Sequence, residues 1–414
     1  LRDVYKRQCL PLVSRAFTLS GEFVITLHDT GLAEGGWMDS TGRLRPGKRP
    51  MPNRAITALT GILRPEIDLS KSRLETLCRM VPGMVSARSV NLSHIACERP
   101  GTVQTASTCR RLQRFFQHVR LDEGWALPLL VRLLGQHGSW LLALDRTNWQ
   151  IGKTEVNFPV LALVTRRFRV PLIWTVIKGR GCSDTGQRIA LMKRYLAHFP
   201  AKTIRLLLAD REFAGAGWME FLCENNIPFA IRIRDNLRIT TEEGHDPTLR
   251  VRLRQARRSR VFRARLGSRE DTASGNAPLL TIAAKPLRDD WLIVVTNVEA
   301  QTALRTYRKR WAIECLFGDA KTRGLNIEDT RLTDPRKPDL LMSLTALAIA
   351  WAGRSAADKL GKHTTPRKSH GHYSKSYFRI GLAQIRNRLR TDPLDAIRPW
   401  RRITQERQEV TGVV

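Results

Sequence analysis

The order of apolar runs and helical segments between residues 138 and 234 constrains the fold more than any other feature of this sequence. Three apolar runs come first, and helical segments then alternate with further apolar runs. The apolar runs span residues 140–144, 158–164, 170–177, 203–209 and 228–233, and the helical segments span residues 185–199 and 215–225. Sequential strands followed by alternating helices and strands predict an α/β fold in which helices flank a mixed sheet on both faces.

A helical pattern precedes the sheet, over residues 65–137. In one of its segments Arg110, Arg111 and Arg114 surround an apolar face. A small bundle of basic helices favours an N-terminal DNA-binding domain, whereas the same pattern also fits a packing domain with solvated arginines. The sequence leaves both interpretations open.

The pattern changes again after residue 234. Basic and apolar residues alternate from Arg250 to Arg254, which predicts a strand, and residues 235–298 as a whole predict an all-β insertion. Helices are predicted at residues 300–322 and 338–360. The α/β core is therefore expected to comprise residues 138–234 and 299–360, followed by a basic C-terminal region over residues 361–414.

The first 50 residues are doubtful as part of the native chain. They show no clear hydrophobic period, and residues 3–8 resemble the translation of a sequencing-library adapter. We expect residues 1–50 to be non-native read-through, with the biological start at Met51 or Met38.

The net charge of the chain limits the classes of partner that it is expected to bind. Seventy Lys and Arg residues against 38 Asp and Glu residues give a net charge of +32. Such a surface repels itself and is typical of proteins that meet a polyanion: nucleic acid, a ribosome or an anionic membrane. No apolar run reaches the roughly 18 residues of a membrane span. Seven scattered cysteines without a C-x-x-C pair argue against a zinc finger or a disulfide framework and favour a reducing cytoplasm.

Two carboxylates follow apolar strands directly. Asp145 comes after the run at 140–144, and Asp210 comes after the run at 203–209. A strand end can aim a side chain rigidly into a cleft, where a carboxylate needs solvent, a partner or a metal ion. An aspartate that caps a helix or forms a turn accounts for either position equally well.

The predicted helix at 300–322 carries a polar stripe. Tyr307, Arg310, Glu314 and Lys321 fall on one face at helical spacing, while the apolar residues lie mostly on another. The stripe is either a functional surface or a solvated face in which Arg310 and Glu314 pair.

These residues resemble a known family. The spacing Tyr307-x2-Arg310-x3-Glu314-x6-Lys321 is similar to the Y-x2-R-x3-E-x6-K signature of the "IS-four" family of bacterial insertion-sequence transposases, which are DDE-type enzymes. Residues 144–149 and 209–213 resemble the family's motifs around its first and second aspartates. The resemblance covers roughly residues 65–390, and none of the signature positions is substituted.

The resemblance implies a ribonuclease H-like (retroviral-integrase-like) core with Asp145, Asp210 and Glu314 as catalytic residues and ligands of two Mg²⁺ or Mn²⁺ ions. Hard cations of this kind prefer carboxylate oxygens and support in-line displacement at a phosphodiester. Trp291 either stacks an extruded base or packs in the core. The residues expected to contact DNA are Tyr307, Arg310, Lys321, Arg232, Arg234 and Trp291.

The expected function is metal-dependent cleavage and transfer of DNA strands in cut-and-paste transposition. The expected partners are double-stranded DNA, both transposon ends and target, and a second copy of the chain, in the bacterial cytoplasm and without a membrane. The alternatives are a metal-dependent nuclease that does not join strands, a domesticated DNA-binding protein without catalysis, and an RNA-binding protein.

Overall fold

The computed structural model describes residues 37–38, 44–45 and 53–411, except for 100–102, 136–137, 152–153, 166, 168, 180, 182, 269–276, 289, 333, 335–336 and 370–372. The chain forms two compact units, Leu1–Arg49 and Pro50–Val414. In the first unit Trp37–Met38 pairs antiparallel with Leu44–Arg45. The expectation that residues 1–50 are non-native falls almost wholly outside the described residues and stays a prediction.

Helices open the second unit. They are α1 (Asn53–Leu63), α2 (Lys71–Ala87), α3 (Leu92–Cys97), α4 (Thr105–His118) and α5 (Ala126–Leu134). Helix α2 packs against α1, α3 and α4. On α4 the buried residues Leu112, Phe115 and Phe116 recur at helical spacing, which is the face that the sequence predicts.

A mixed sheet of ten strands follows within the described residues. Its strands are β1 (Trp140–Ile151), β2 (Thr154–Val164), β3 (Arg169–Trp174), β4 (Ile177–Lys178), β5 (Ile204–Ala209), β6 (Phe229–Arg232), β7 (Ile239–Thr241), β8 (Arg260–Leu266), β9 (Leu280–Pro286) and β10 (Trp291–Thr296). The connecting helices are α6 (Thr185–Leu196), α7 (Ala216–Glu224) and α8 (Leu249–Leu253).

The strand order is β3-β2-β1-β5-β6-β10-β9-β8-β7, with β4 paired to β2. Strands β1, β5 and β6 are parallel neighbours, whereas the other pairings are antiparallel. Parallel strands need a crossover connection, which α6 and α7 supply between β3 and β6. This arrangement confirms the expectation of a mixed sheet flanked by helices.

Strand β1 is longer than predicted. It continues past Asp145 to Ile151, because β2 offers partners along its whole length, from Leu142 with Leu163 to Ile151 with Thr154. On the other side β5 pairs with β1 only as far as Leu144. Asp145 therefore lies within a strand, at the point where that strand loses its parallel neighbour.

The inserted segment is not all-β, which corrects the prediction. Residues 250–254 are expected to form a strand, but the short helix α8 covers residues 249–253. The Thr248 side chain accepts a hydrogen bond from the backbone N–H of Val251 and caps the helix, and Leu249 and Leu253 are buried one turn apart. The strands of the segment extend the main sheet, because β10 pairs with β6.

The helices after the sheet are α9 (Ala300–Tyr307), α10 (Trp311–Ala320), α11 (Pro338–Leu360), α12 (Tyr377–Thr391), α13 (Pro393–Ala396) and α14 (Arg398–Thr411). A 3₁₀ turn, Arg308–Arg310, joins α9 to α10, so the predicted single helix is interrupted at this point. Helix α9 packs on β6, β9 and β10, and α10 packs on β1, β2 and β3.

Helix α11 is the central helix of this unit and contacts α2, α5, α12 and β3. By length and hydropathy it resembles a membrane span, but 89% of its apolar window is buried inside the structure. A core helix has the same properties, and the packing of α11 accounts for them.

Candidate active site

The two aspartates lie side by side at the ends of parallel strand pairing. Leu144 of β1 is in register with Ala209, the last residue of β5, so the next residue of each strand is an aspartate. The predicted pair, Asp145 and Asp210, therefore occupies one edge of the sheet. The local reason is that β5 ends at this position and the chain turns into a short 3₁₀ helix, Arg211–Phe213.

The polar stripe after the sheet lies over this edge. The Tyr307 hydroxyl donates a hydrogen bond to Asp210 Oδ1 at 3.3 Å, and Arg310 Nη1 donates to Asp145 Oδ2 at 2.9 Å. Arg310 also contacts Glu314 Oε1 at 3.3 Å. Tyr307 and Arg310 are three positions apart, so one turn of the chain reaches both strand ends, and the Arg310 guanidinium contacts two of the three predicted carboxylates, Asp145 and Glu314.

Burial shapes the protonation of this cluster. The side chains of Asp145 and Arg310 are only 13% and 12% exposed, whereas that of Glu314 is 40% exposed. Burial raises the pKa of Asp145 to about 6; the bonded Arg146 N–H and the Arg310 charge oppose the rise, and Glu314 and Glu212 add to it.

Carboxylates of the site also shift the pKa values of Arg310 and Tyr307. Burial alone lowers the pKa of Arg310, but Tyr307 and the three carboxylates outweigh it and raise the pKa above its usual value. Burial and the charge of Asp210 raise the pKa of Tyr307, so its hydroxyl stays protonated as a donor.

Lys321, the last signature residue, caps α10 and reaches back to β1. Its Nζ donates to the backbone carbonyl of Asn148 at 3.0 Å and pairs with Glu328 at 2.9 Å. Asn148 lies three residues beyond Asp145 on the same strand. Lys321 is thus on the carboxylate side of β1, although it does not contact a carboxylate of the predicted triad.

The donor set suits a divalent cation, but a guanidinium now lies among the carboxylates. Within the part of the chain that the structure describes, no three His, Cys, Asp or Glu side chains are placed together as a metal site. Asp145 and Glu314 each bind Arg310 instead. Asp145 and Glu314 contact Arg310, and Asp210 helps to raise its pKa, so these oxygens form a negative field of the kind that Mg²⁺ or Mn²⁺ prefers.

Two further residues support the site and were not singled out from the sequence. Glu212 pairs with Arg146 at 3.3 Å, and its other oxygen, Oε1, is buried without a hydrogen-bond partner among the described residues. Arg188 is buried and donates to the backbone carbonyl of Glu212 at 2.9 Å, which fixes the turn after Asp210. Glu212 follows Asp210 by two residues, and that spacing is the signal by which it could have been found.

A basic cavity of about 390 Å³ brings together the other predicted DNA contacts. Its lining includes Arg232, Arg234 and Trp291, together with Arg211, the residue after Asp210. Trp291 is partly buried against the core and also borders the cavity. Arg232 pairs with Asp290 at 3.1 Å, and β6 and β10, which carry Arg232 and Trp291, are neighbouring strands inside the sheet.

Comparison with known proteins identifies one family. The model of a family described as "Transposase DDE domain" matches residues 136–351, more than half of the chain. A search of curated proteins finds no match. Two solved structures of Endonuclease V from Ciona intestinalis in complex with DNA show a distant likeness. Each is 13% identical and has a TM-score of 0.24, and the alignments cover 46% of this chain and 81% and 82% of those chains. A TM-score this low supports no conclusion about fold or function.

Proposed function

We propose, from the premise that this chain belongs to the transposase DDE domain family, that it binds the terminal inverted repeats of an insertion sequence and catalyses metal-dependent cleavage and transfer of DNA strands. The family makes the chain a transposase or nuclease. The finer proposal is a bacterial, cut-and-paste enzyme of the "IS-four" type acting in the cytoplasm.

One observation carries the proposal: Asp145, Asp210 and Glu314 converge on the stripe that starts at Tyr307 and Arg310. Residues from β1, from the end of β5 and from the segment that runs from α9 to α10 meet there, over separations of 97 and 165 residues. We further propose a ribonuclease H-like core. In the order β3-β2-β1-β5-β6, strands β3, β2 and β1 are antiparallel, and β5 and β6 continue the sheet parallel to β1.

Asp145, Asp210 and Glu314 would hold the divalent ions in this proposal. When bound, two such ions activate the attacking oxygen and stabilise the leaving oxygen in an in-line displacement. The burial of Asp145 and the pairing of β1 with β2 along its whole length keep the Asp145 carboxylate in place beside Arg310. Tyr307 holds Asp210 by a hydrogen bond and so restricts its rotamers.

Arg310 and Lys321 act on the phosphates in this proposal. Arg310 changes partners, from Asp145 and Glu314 to a phosphate beside the scissile bond, because a bidentate guanidinium binds phosphate well. Lys321 adds a point charge on the same side of β1. The basic cavity at Arg232, Arg234 and Trp291 receives DNA that leaves the site. Because two ends must be joined, we propose that the active form is a homodimer.

The test uses purified protein, Mg²⁺ and a duplex that carries the inverted repeats flanking the gene. We expect 3′-hydroxyl ends and strand-transfer products. Asp145→Asn, Asp210→Asn and Glu314→Gln should each reduce both by about 10³-fold or more, because each removes an anionic ligand of the ions.

The matched control is Asp68→Asn, which alters an exposed carboxylate outside the site and should leave the rates unchanged. Cleavage that survives all three substitutions would contradict the site assignment. Cleavage without any joined product would favour a nuclease over a transposase.

A further inference from the structure

A second basic cavity lies inside the N-terminal helical bundle, away from the predicted catalytic residues. It measures about 40 Å³, several times the volume that a single water needs. Helices α1 to α4 line it with apolar residues such as Ile95 and Leu112. Its charged lining consists of Arg79, Arg99 and Arg111 against the exposed Glu98, so the cavity has an excess of positive charge.

Arg79 has a buried donor, Nε, that lacks a hydrogen-bond partner among the described residues. Burial lowers the pKa of this guanidinium most, and the charges of Arg99 and Arg111 lower it further. The charge of Glu75 has a smaller, opposite effect. Buried donors are usually satisfied, so an unmet N–H beside like charges leaves room for an anionic acceptor.

The other two arginines, Arg99 and Arg111, are held in place by hydrogen bonds to uncharged groups. Arg111 donates from Nε to the Thr76 hydroxyl at 2.9 Å and from Nη2 to the Ser72 carbonyl at 3.0 Å. Arg99 donates from Nη1 to the Thr108 hydroxyl at 3.1 Å. Hydroxyl and carbonyl oxygens fix the orientation of both guanidinium groups without neutralising them, so the cluster keeps its charge for a ligand.

We infer that this cavity is a binding site for one phosphate group of the DNA backbone, held by Arg79, Arg99 and Arg111. The inference deepens the proposed function and depends on it for the identity of the polyanion. Arginine suits this ligand because its planar set of N–H donors matches phosphate oxygens. A phosphate contact within the helical bundle would fix the register of the duplex without reading its sequence.

The experiment measures the binding of a short fluorescein-labelled duplex by fluorescence anisotropy, in EDTA so that no strand is cut, between about 50 and 200 mM salt. Arg79→Gln, Arg99→Gln and Arg111→Gln should each weaken binding roughly tenfold at low salt and reduce the slope of log K against log salt by about 1. Arg73→Gln, on an exposed position of α2 outside the cavity, is the control and should keep the wild-type slope.

Thermal melting of the same variants excludes unfolding and tests the source of the phosphate. We expect inorganic phosphate, compared with chloride at equal ionic strength, to raise the wild-type melting temperature and to raise that of Arg99→Gln less. Folded variants that bind the duplex with wild-type affinity and slope would overturn the inference, even where inorganic phosphate stabilises the wild type. A wild type that binds the duplex in EDTA but does not cut the inverted-repeat duplex with Mg²⁺ contradicts the proposed function alone, because the anisotropy comparison still decides the phosphate site.

Discussion

Arg310 shows how a single side chain can organise an acidic site. The carboxylates of Asp145 and Asp210, at the strand ends, and of Glu314, on α10, repel one another. The loss of a partner from a buried ion pair costs about 3–5 kcal/mol. Arg310 offsets this repulsion by binding Asp145 and Glu314 at once, from a 3₁₀ turn that lets its side chain face the strand ends. The same charge compensation is what a bound cation provides, and Arg310 holds Asp145 and Glu314 together in this way.

A second buried acid, Asp319, allows a test of burial in isolation. Its side chain belongs to α10, and burial raises its pKa to about 6, against the opposing charges of Arg169, Arg323 and Arg379. The folded pKa exceeds the ordinary value of 3.8, so the group's contribution to stability is full below that value and is lost as the pH rises through about 6.

We therefore expect Asp319→Asn to gain stability relative to the wild type, by about 1 kcal/mol, when the pH is raised from about 5 to 7.5. The amide imitates the protonated acid and does not titrate. The measurement is urea unfolding of both proteins at the two pH values. A difference between them that is independent of pH would show that Asp319 ionises in the fold without cost.

At the residue scale the sequence predicted which side chains meet but not how they meet. Asp145, Asp210, Tyr307, Arg310 and Glu314 are brought together as the resemblance implies. The bond from Arg310 to Asp145 was not predictable, because helical spacing identifies Glu314 as the partner and says nothing about a strand 165 residues away. Their roles as metal ligands and DNA contacts stay predictions.

At the element scale most strands and helices follow from periodicity, and the errors arise where local signals conflict with tertiary context. The alternation in residues 250–254 indicates a strand, yet the Thr248 cap and the burial of Leu249 and Leu253 favour a turn of helix. The extension of β1 beyond Asp145 depends on its partner β2, which no single run of residues shows. Strand pairing decided the second case, whereas the helix cap and side-chain burial decided the first.

The contact between α11 and α12 gives a prediction at this scale. A Cβ added at Gly381 of α12 would lie 1.7 Å from the backbone carbonyl oxygen of Ala352 in α11. Because backbone cannot give way as a flexible side chain does, Gly381→Ala should destabilise the protein by about 3 kcal/mol. The control is Gly61→Ala in α1, where a Cβ meets nothing within 4 Å and alanine should gain up to about 1 kcal/mol.

Thermal melting of the two variants checks this pair. Equal melting temperatures for Gly381→Ala and Gly61→Ala would mean that α11 and α12 separate without cost and that their close packing does not limit stability.

At the scale of the whole molecule the dominant property is the net charge of +32. Arginines occur in the helical bundle, at the predicted catalytic site and around the cavity at Trp291. If about 6–10 phosphates are neutralised by these groups, affinity for duplex DNA should fall by about 10³-fold or more between 50 and 200 mM salt. Fluorescence anisotropy with a duplex of unrelated sequence measures this fall, and an affinity that does not depend on salt would show that these arginines do not meet the backbone.

The pairing of β10 with β6 has a consequence for the solubility of the chain. A segment that had formed its own sheet could be lost again without harm to the rest. Here its removal would turn β6 from an interior strand into an edge, with Phe229, Ala230 and Ile231 uncovered beside open backbone groups. Apolar edges of that kind recruit other chains and aggregate. Growth of the sheet past β6 thus makes the solubility of the protein depend on this segment, and we expect a chain without it to aggregate.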